Sequence, residues 1–212
     1  MSELSFEIVG VRAERYAVAP AVALRLRVRE GSGIEVSCLS LRVQVQIEPR
    51  RRHYEKTEEE RLVELFGEPA RWGETLRTVL WTHLSVSLPT FTNETEIDLL
   101  LPCSYDFDVS ANKYLQALGD GEIPVALLFS GTLFQRAPAG FSAEMVPWEK
   151  EAGYQIPVHV FREAVDAHFP NTAWIRVRRD TFDELYRYKT GAQLSGWDDA
   201  VVSLLERAKE PQ

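Results

Sequence analysis

The amino-acid sequence is short of the residues and motifs that usually announce a reaction. Only two cysteines, Cys38 and Cys103, occur in 212 residues, and a single pair so widely separated makes neither a zinc-ligand spacing nor a disulfide framework. The four histidines, His53, His83, His159 and His168, are scattered, with only His159 and His168 in one predicted element. No G-x-S-x-G elbow, glycine-rich phosphate loop or H-E-x-x-H pair is present, which excludes the common hydrolase, nucleotide-binding and zinc-protease patterns. No apolar run nears the roughly 18 residues of a membrane span. The opening MSELSFEIVG lacks the basic start and apolar stretch of a secretory signal, so a cytoplasmic protein without a membrane partner is expected. With 24 Lys and Arg against 32 Asp and Glu, the formal charge is −8, and a phosphate backbone would be repelled. Nucleic acid is therefore not an expected partner.

What is there is the composition of an ordinary globular chain, 45% hydrophobic and 26% charged, which excludes wholesale disorder. The clearest pattern is alternation. Val22, Leu24, Leu26 and Val28 alternate with Ala23 and arginines, and after Gly31-Ser32-Gly33 the period returns in Leu39, Leu41, Val43, Val45 and Ile47. The two runs predict an antiparallel hairpin with one dry and one wet face. Leu4, Phe6 and Ile8 predict a strand before it. A second hairpin is expected from Leu84–Leu88 and Ile97–Leu101, a further strand from Tyr105, Phe107 and Val109, and a strand buried on both faces from Val125–Phe134, with Phe141–Val146 returning beside it. Thr57-Glu58-Glu59-Glu60 reads as a capping box opening a helix; a short helical stretch near 73–80 and another over Ala111–Leu118 are expected next. Three more helices are expected from Pro157 to Phe169, from Asp180 onward and from Ser195 to Asp198 onward, started and stopped by prolines and acidic first turns. Strands first and helices last give an α+β fold, a curved antiparallel sheet with C-terminal helices, in one domain spanning 1–212.

Several clusters resemble chemistry and each has a plainer reading. His159 and Glu163 sit one helical turn apart, as metal ligands or as a solvated pair. Glu94, Glu96 and Asp98 share one strand face, suited to a hard cation or simply to water. Arg50-Arg51-Arg52-His53 is the one basic run, and it either ends a strand in solvent or meets an anion. Cys103, His83, Asp106 and Asp108 make the best polar constellation, a small-molecule or metal-binding enzyme being the alternative reading. The five tryptophans, Trp72, Trp81, Trp148, Trp174 and Trp197, all stand at or near predicted element ends, where aromatic rings seal a core rim or line a binding surface.

Val125-Ala-Leu-Leu-Phe-Ser-Gly-Thr-Leu-Phe134, the helix with Phe161-Arg162-Glu163, the link at Ala173-Trp-Ile-Arg-Val177 and the start Thr181-Phe182-Asp183-Glu184-Leu185 together resemble the C-terminal half of the bacterial export chaperone SecB, over about 123–188. Relative to that core, 50–121 reads as an insertion and 195–212 as a C-terminal helix and tail. The strings Phe6-Glu7-Ile8-Val9-Gly10-Val11, Leu65-Phe66-Gly67-Glu68-Pro69-Ala70-Arg71-Trp72-Gly73, Leu80-Trp81-Thr82-His83 and Pro102-Cys103-Ser104-Tyr105-Asp106-Phe107 are similar to an uncharacterised bacterial family encoded beside nickel–iron hydrogenase genes. The resemblances imply a non-enzymatic chaperone or assembly factor for a protein client, a hydrogenase subunit or maturation factor, with no cofactor and room for a homo-oligomer. On the SecB-like alignment, Trp72, Trp81, Trp148 and Trp174 are the candidate protein-binding residues.

Overall fold

The computed structural model describes residues 3–103, 109–137, 140–172, 175 and 177–209. The alternating runs do form strands, because period-2 apolar residues can bury one face of a pleated sheet while the other stays wet. Among the described residues six helices and eight strands make an α+β fold, in two compact units, Met1–Thr172 and Ala173–Gln212, where the sequence reads as one domain.

All eight strands lie in the first unit, in two antiparallel sheets. One has the order β1(Leu4–Ala13), β2(Ala21–Glu30), β5(Glu94–Pro102). The other runs β4(Val79–Leu88), β3(Val36–Ile47), β6(Glu122–Ala137). Beyond β6, β7(Gly140–Met145) pairs with its C-terminal half and β8(Glu151–Pro157) with its N-terminal half. The inward faces interlock in one core: Val22, Leu24, Leu26 and Val28 from the first sheet, Leu39, Leu41, Val43, Val45 and Ile47 from the second. Phe6 of β1 stacks on Phe129 of β6 with ring centroids 4.2 Å apart.

Neither expected hairpin forms, and the antiparallel strands are divided between two sheets. β2 and β3 are consecutive but belong to different sheets, as do β4 and β5. Alternation determines which side of a strand is dry and says nothing about which neighbour it pairs with. The crossing after β2 is held by a buried carboxylate: Glu30 accepts hydrogen bonds from the backbone N–H groups of Glu3 (3.2 Å), Ser32 (3.2 Å) and Ile34 (3.1 Å) and from the Ser32 hydroxyl (2.5 Å). Burial pushes the Glu30 carboxyl up, but these donors outweigh it and hold it below the ordinary value. The segment 50–121 supplies β4 to one sheet and β5 to the other. Val125–Phe134 is also corrected: Val125, Leu127, Phe129 and Leu133 are buried, whereas Phe134 on the other face is exposed. The expected strand at Tyr105–Val109 falls largely outside the described residues.

At Gly131 the chains of β6 and β3 come so close that a β-carbon would stand 2.1 Å from the Ser40 carbonyl oxygen. Gly131→Ala should therefore force the two central strands apart and cost about 2–3 kcal/mol, read as a lower urea midpoint at unchanged slope.

Helix α1(Lys56–Phe66) is capped two residues earlier than expected, with Glu55 and Glu58 forming the reciprocal box in place of Thr57 and Glu60. α2(Trp72–Thr75) is a single turn, and α3(Val109–Ala117) and α4(Val158–Asp166) follow near their expected places. α4 packs on β1, β2 and β8 through Val158, Val160, Phe161, Ala164 and Val165. The basic run is drawn into the fold. Arg50 donates to the carbonyls of Leu76 and Gly73, Arg51 pairs with Glu48, and Arg52 is buried against Glu58. The second unit consists of α5(Arg179–Gly191) and α6(Trp197–Lys209). Among the described residues no helix is long and apolar enough to cross a membrane.

Candidate functional site

The tryptophan candidates separate by burial. Trp72 is buried, its indole N–H donating to the Gly67 carbonyl at 2.8 Å and its ring edge-on to Tyr54 and Phe66. Trp81, only 2% exposed, donates to the Pro102 carbonyl at 2.9 Å and meets Phe161 of α4 edge-on, ring centroids 6.5 Å apart. Both rings are part of the core and are not offered to a partner, a correction that follows from their satisfied N–H groups and apolar surroundings. Trp174 lies outside the described residues. Trp148 is 89% exposed.

Its position follows from the strands on either side. Val146 is buried and its N–H bonds to the Gly131 carbonyl at 3.0 Å, which anchors the end of β7. Lys150 donates to the Pro147 carbonyl at 3.1 Å and accepts from the Phe129 N–H at 3.0 Å, which anchors the start of β8. The tight turn between these anchors carries the indole outward. In β7 before it Met145 is 77% exposed, and in β6 Phe134 is 39% exposed. The register pairs Thr132 with Met145 and Phe134 with Ala143, so both side chains emerge from the outer face of the sheet, with Cys38 of β3 opposite Phe134. Among the described residues β7 pairs with β6 alone. Exposed apolar side chains thus stand on the edge strand β7, on its neighbour β6 and in the turn that follows β7. Phe134 and Met145 were missed from sequence, although Phe134 stands at the opposite parity from Leu127, Phe129 and Leu133 and so had to leave the core side.

Among the described residues of the polar candidates, the carboxylates are held in ion pairs and the cysteine is buried. Cys103 is buried, its thiol donating to the Leu101 carbonyl at 3.5 Å, and burial pushes it up to about 12, leaving it protonated at neutral pH. His83 is exposed on β4 across from Gln44. Asp106 and Asp108 lie outside the described residues. Glu94, Glu96 and Asp98 are answered across the strand pair by Arg29 (3.1 Å), Arg27 (2.7 Å) and Arg25 (2.6 Å). A hydrogen bond from Arg25 and another from Arg12 hold the Asp98 carboxyl below the ordinary carboxylate value against partial desolvation. Glu163 pairs with Arg15 and not with a metal edge beside His159. Among the described residues no three His, Cys, Asp or Glu side chains converge as a metal site.

The chain belongs to a family of unknown function (DUF6084), whose profile matches residues 1–212. No curated protein matches it. Among solved structures it is similar to the CARDB domain of a Pyrococcus furiosus protein, solved in complex with di-metal ions, at 12% identity and a TM-score of 0.29, covering 74% of this chain and 92% of that one. It is also similar to beta-glucosidase 3B from Thermotoga neapolitana in complex with glucose, at 8% identity and a TM-score of 0.26, covering 73% of this chain. A beta-glucosidase from Kluyveromyces marxianus shows 14% identity and a TM-score of 0.25 over the same share. The chain spans 17% and 15% of the length of these two enzymes.

Proposed function

We propose that this protein is a non-enzymatic, protein-binding chaperone or assembly factor that receives an extended apolar segment of its client along β7. The observation that carries the reading is the exposed trio Trp148, Met145 and Phe134 beside a strand that is paired on one side. Each element of the surface has a physical role in such binding. The strand edge provides backbone donors and acceptors to an added strand, which gives affinity without reading sequence. The indole and thioether provide adaptable apolar contact for alternate client side chains, with Met able to repack around different shapes. The charge of −8 keeps such a surface soluble and disfavours anionic competitors.

The sequence resemblance of 123–188 to SecB supports the chaperone class, and the hydrogenase-neighbour resemblance suggests the client, a nickel–iron hydrogenase subunit or maturation factor. The purified protein should slow the aggregation of a chemically unfolded client and retain a hydrogenase subunit on a column. Trp148→Ala should weaken that binding by about 2 kcal/mol or more, the size of an interface anchor, with the melting temperature unchanged because the ring has no core contact to lose. The reading fails if the wild-type protein does neither, or if Trp148→Ala lowers the melting temperature and leaves client affinity intact.

A further inference from the structure

The two-helix unit has almost no interior. Among its described residues Ala200 alone is fully buried, and forty residues rarely make a stable core without help. α6 turns Ala200, Ser203 and Arg207 toward α5: Ser203 bonds the Tyr188 hydroxyl at 2.7 Å, and Arg207 lies over the Tyr188 ring at 5.4 Å. Phe182 and Tyr186 of α5 close on Trp197 with centroids 5.1 and 6.1 Å away. A different side of α6 remains in water. Residues 198, 202, 205 and 209 recur at the spacing of one helical stripe, and they read Asp, Val, Leu, Lys. Val202 is 50% and Leu205 56% exposed, with Asp198 and Lys209 exposed at the two ends. An acidic start and a basic finish suit the helix dipole, which accounts for the charges and leaves the two apolar side chains between them unexplained.

The stripe is complementary to itself. Positions 198 and 209, and positions 202 and 205, are equally distant from the point between Ser203 and Leu204. A second α6 laid antiparallel about a two-fold axis through that point sets Asp198 against Lys209 of the second copy twice, and Val202 against Leu205 twice. Within one helix the two charges lie about 16 Å apart along the axis and cannot pair. Two-fold assembly is the commonest route by which a chain covers such a surface. We propose that the protein forms a homodimer in which α6 packs antiparallel on α6 of a second copy, with Val202 and Leu205 at the centre and Asp198–Lys209 ion pairs at both ends.

The experiment is light scattering and sedimentation of the full chain. Wild type should be a dimer at micromolar concentration. Asp198→Lys alone, or Lys209→Asp alone, sets like charges against each other at both ends and should weaken the dimer about tenfold or more. Mixing the two variants restores opposite charges at both ends of a mixed pair, so dimer should return, which also shows that each variant is folded. A wild-type monomer at concentrations up to about 100 μM, a dimer indifferent to either substitution, or no recovery on mixing overturns the proposal.

Discussion

Replacing Trp81 with alanine is expected to destabilise the first unit by about 3–5 kcal/mol, the range for removing a buried indole from a packed core. Two losses combine. The ring is 2% exposed and its apolar area leaves a cavity between β4 and α4, where it faces Phe161. The Pro102 carbonyl loses the N–H that satisfies it, and an orphaned buried acceptor costs about 1–3 kcal/mol where water cannot reach it. At roughly 2–4 °C per kcal/mol for a unit of this size, the melting temperature should fall by roughly 6–20 °C. Trp81→Phe keeps a six-membered ring against Phe161 and loses the pyrrole portion with its donor, and it should cost less than half as much. A melting temperature unchanged by Trp81→Ala would show that the ring is not part of the core. The contrast with Trp148→Ala, where stability stays and binding goes, makes the two tryptophans a matched pair.

Trp81 also shows where sequence reading ends. Leu84, Val86 and Leu88 give β4 a clear inward parity, by which residue 81 points outward. In the structure Val45 pairs with Thr82 and Gln46 with Leu80, so Trp81 is the extra residue of a β-bulge, the device that re-aims one side chain out of the pleat. Nothing in a period-2 pattern marks such an insertion. The same limit explains the hairpins: the dry faces of β2 and β3 are legible residue by residue, but Glu30, which turns the chain from one sheet to the other, looks like any charged strand end until its four donors are seen. β8 went unread because Gly153 and Pro157 mask the alternation of Ala152, Tyr154 and Ile156. Helices fared better, since prolines, acidic first turns and apolar stripes are local signals. Of the candidate binding residues, Trp148 was legible from its place after Pro147 at a strand end, whereas Met145 and Phe134 needed the register of β6 on β7.

Glu58→Ala is the second substitution expected to be severe, at about 3–5 kcal/mol, because it leaves a buried cation alone. The Glu58 side chain is 3% exposed and that of Arg52 10%. The carboxylate accepts from Arg52 Nη2 at 2.8 and 2.9 Å, from the Gly119 N–H at 2.6 Å and from the Glu55 N–H at 3.0 Å, tying the start of α1 to the turn before β6. Arg52 in turn donates to the carbonyls of Glu122 and Asp120 and lies over the Tyr54 ring. Burial pushes the Glu58 carboxyl up, but the bonds from Gly119, Glu55 and Arg52 outweigh it, and the group sits below its ordinary 4.5. A carboxyl lowered by folding contributes stability that is complete above the unfolded value and is lost as pH falls through the folded one. The wild type should therefore lose this contribution progressively below about pH 4.5. Glu58→Gln, which keeps an acceptor for Gly119 but no charge, should be clearly less stable at neutral pH and converge on wild type in acid. Glu30 titrates alike in both proteins and drops out of the difference. Urea unfolding at about pH 7 and about pH 3 reads the gap directly. A gap that does not narrow in acid would mean that the cost comes from lost packing, and then Arg52→Met with Glu58→Leu, which removes both charges at similar volume, would be no better tolerated than Glu58→Ala. With the ion pair as the source, that double variant recovers most of the loss.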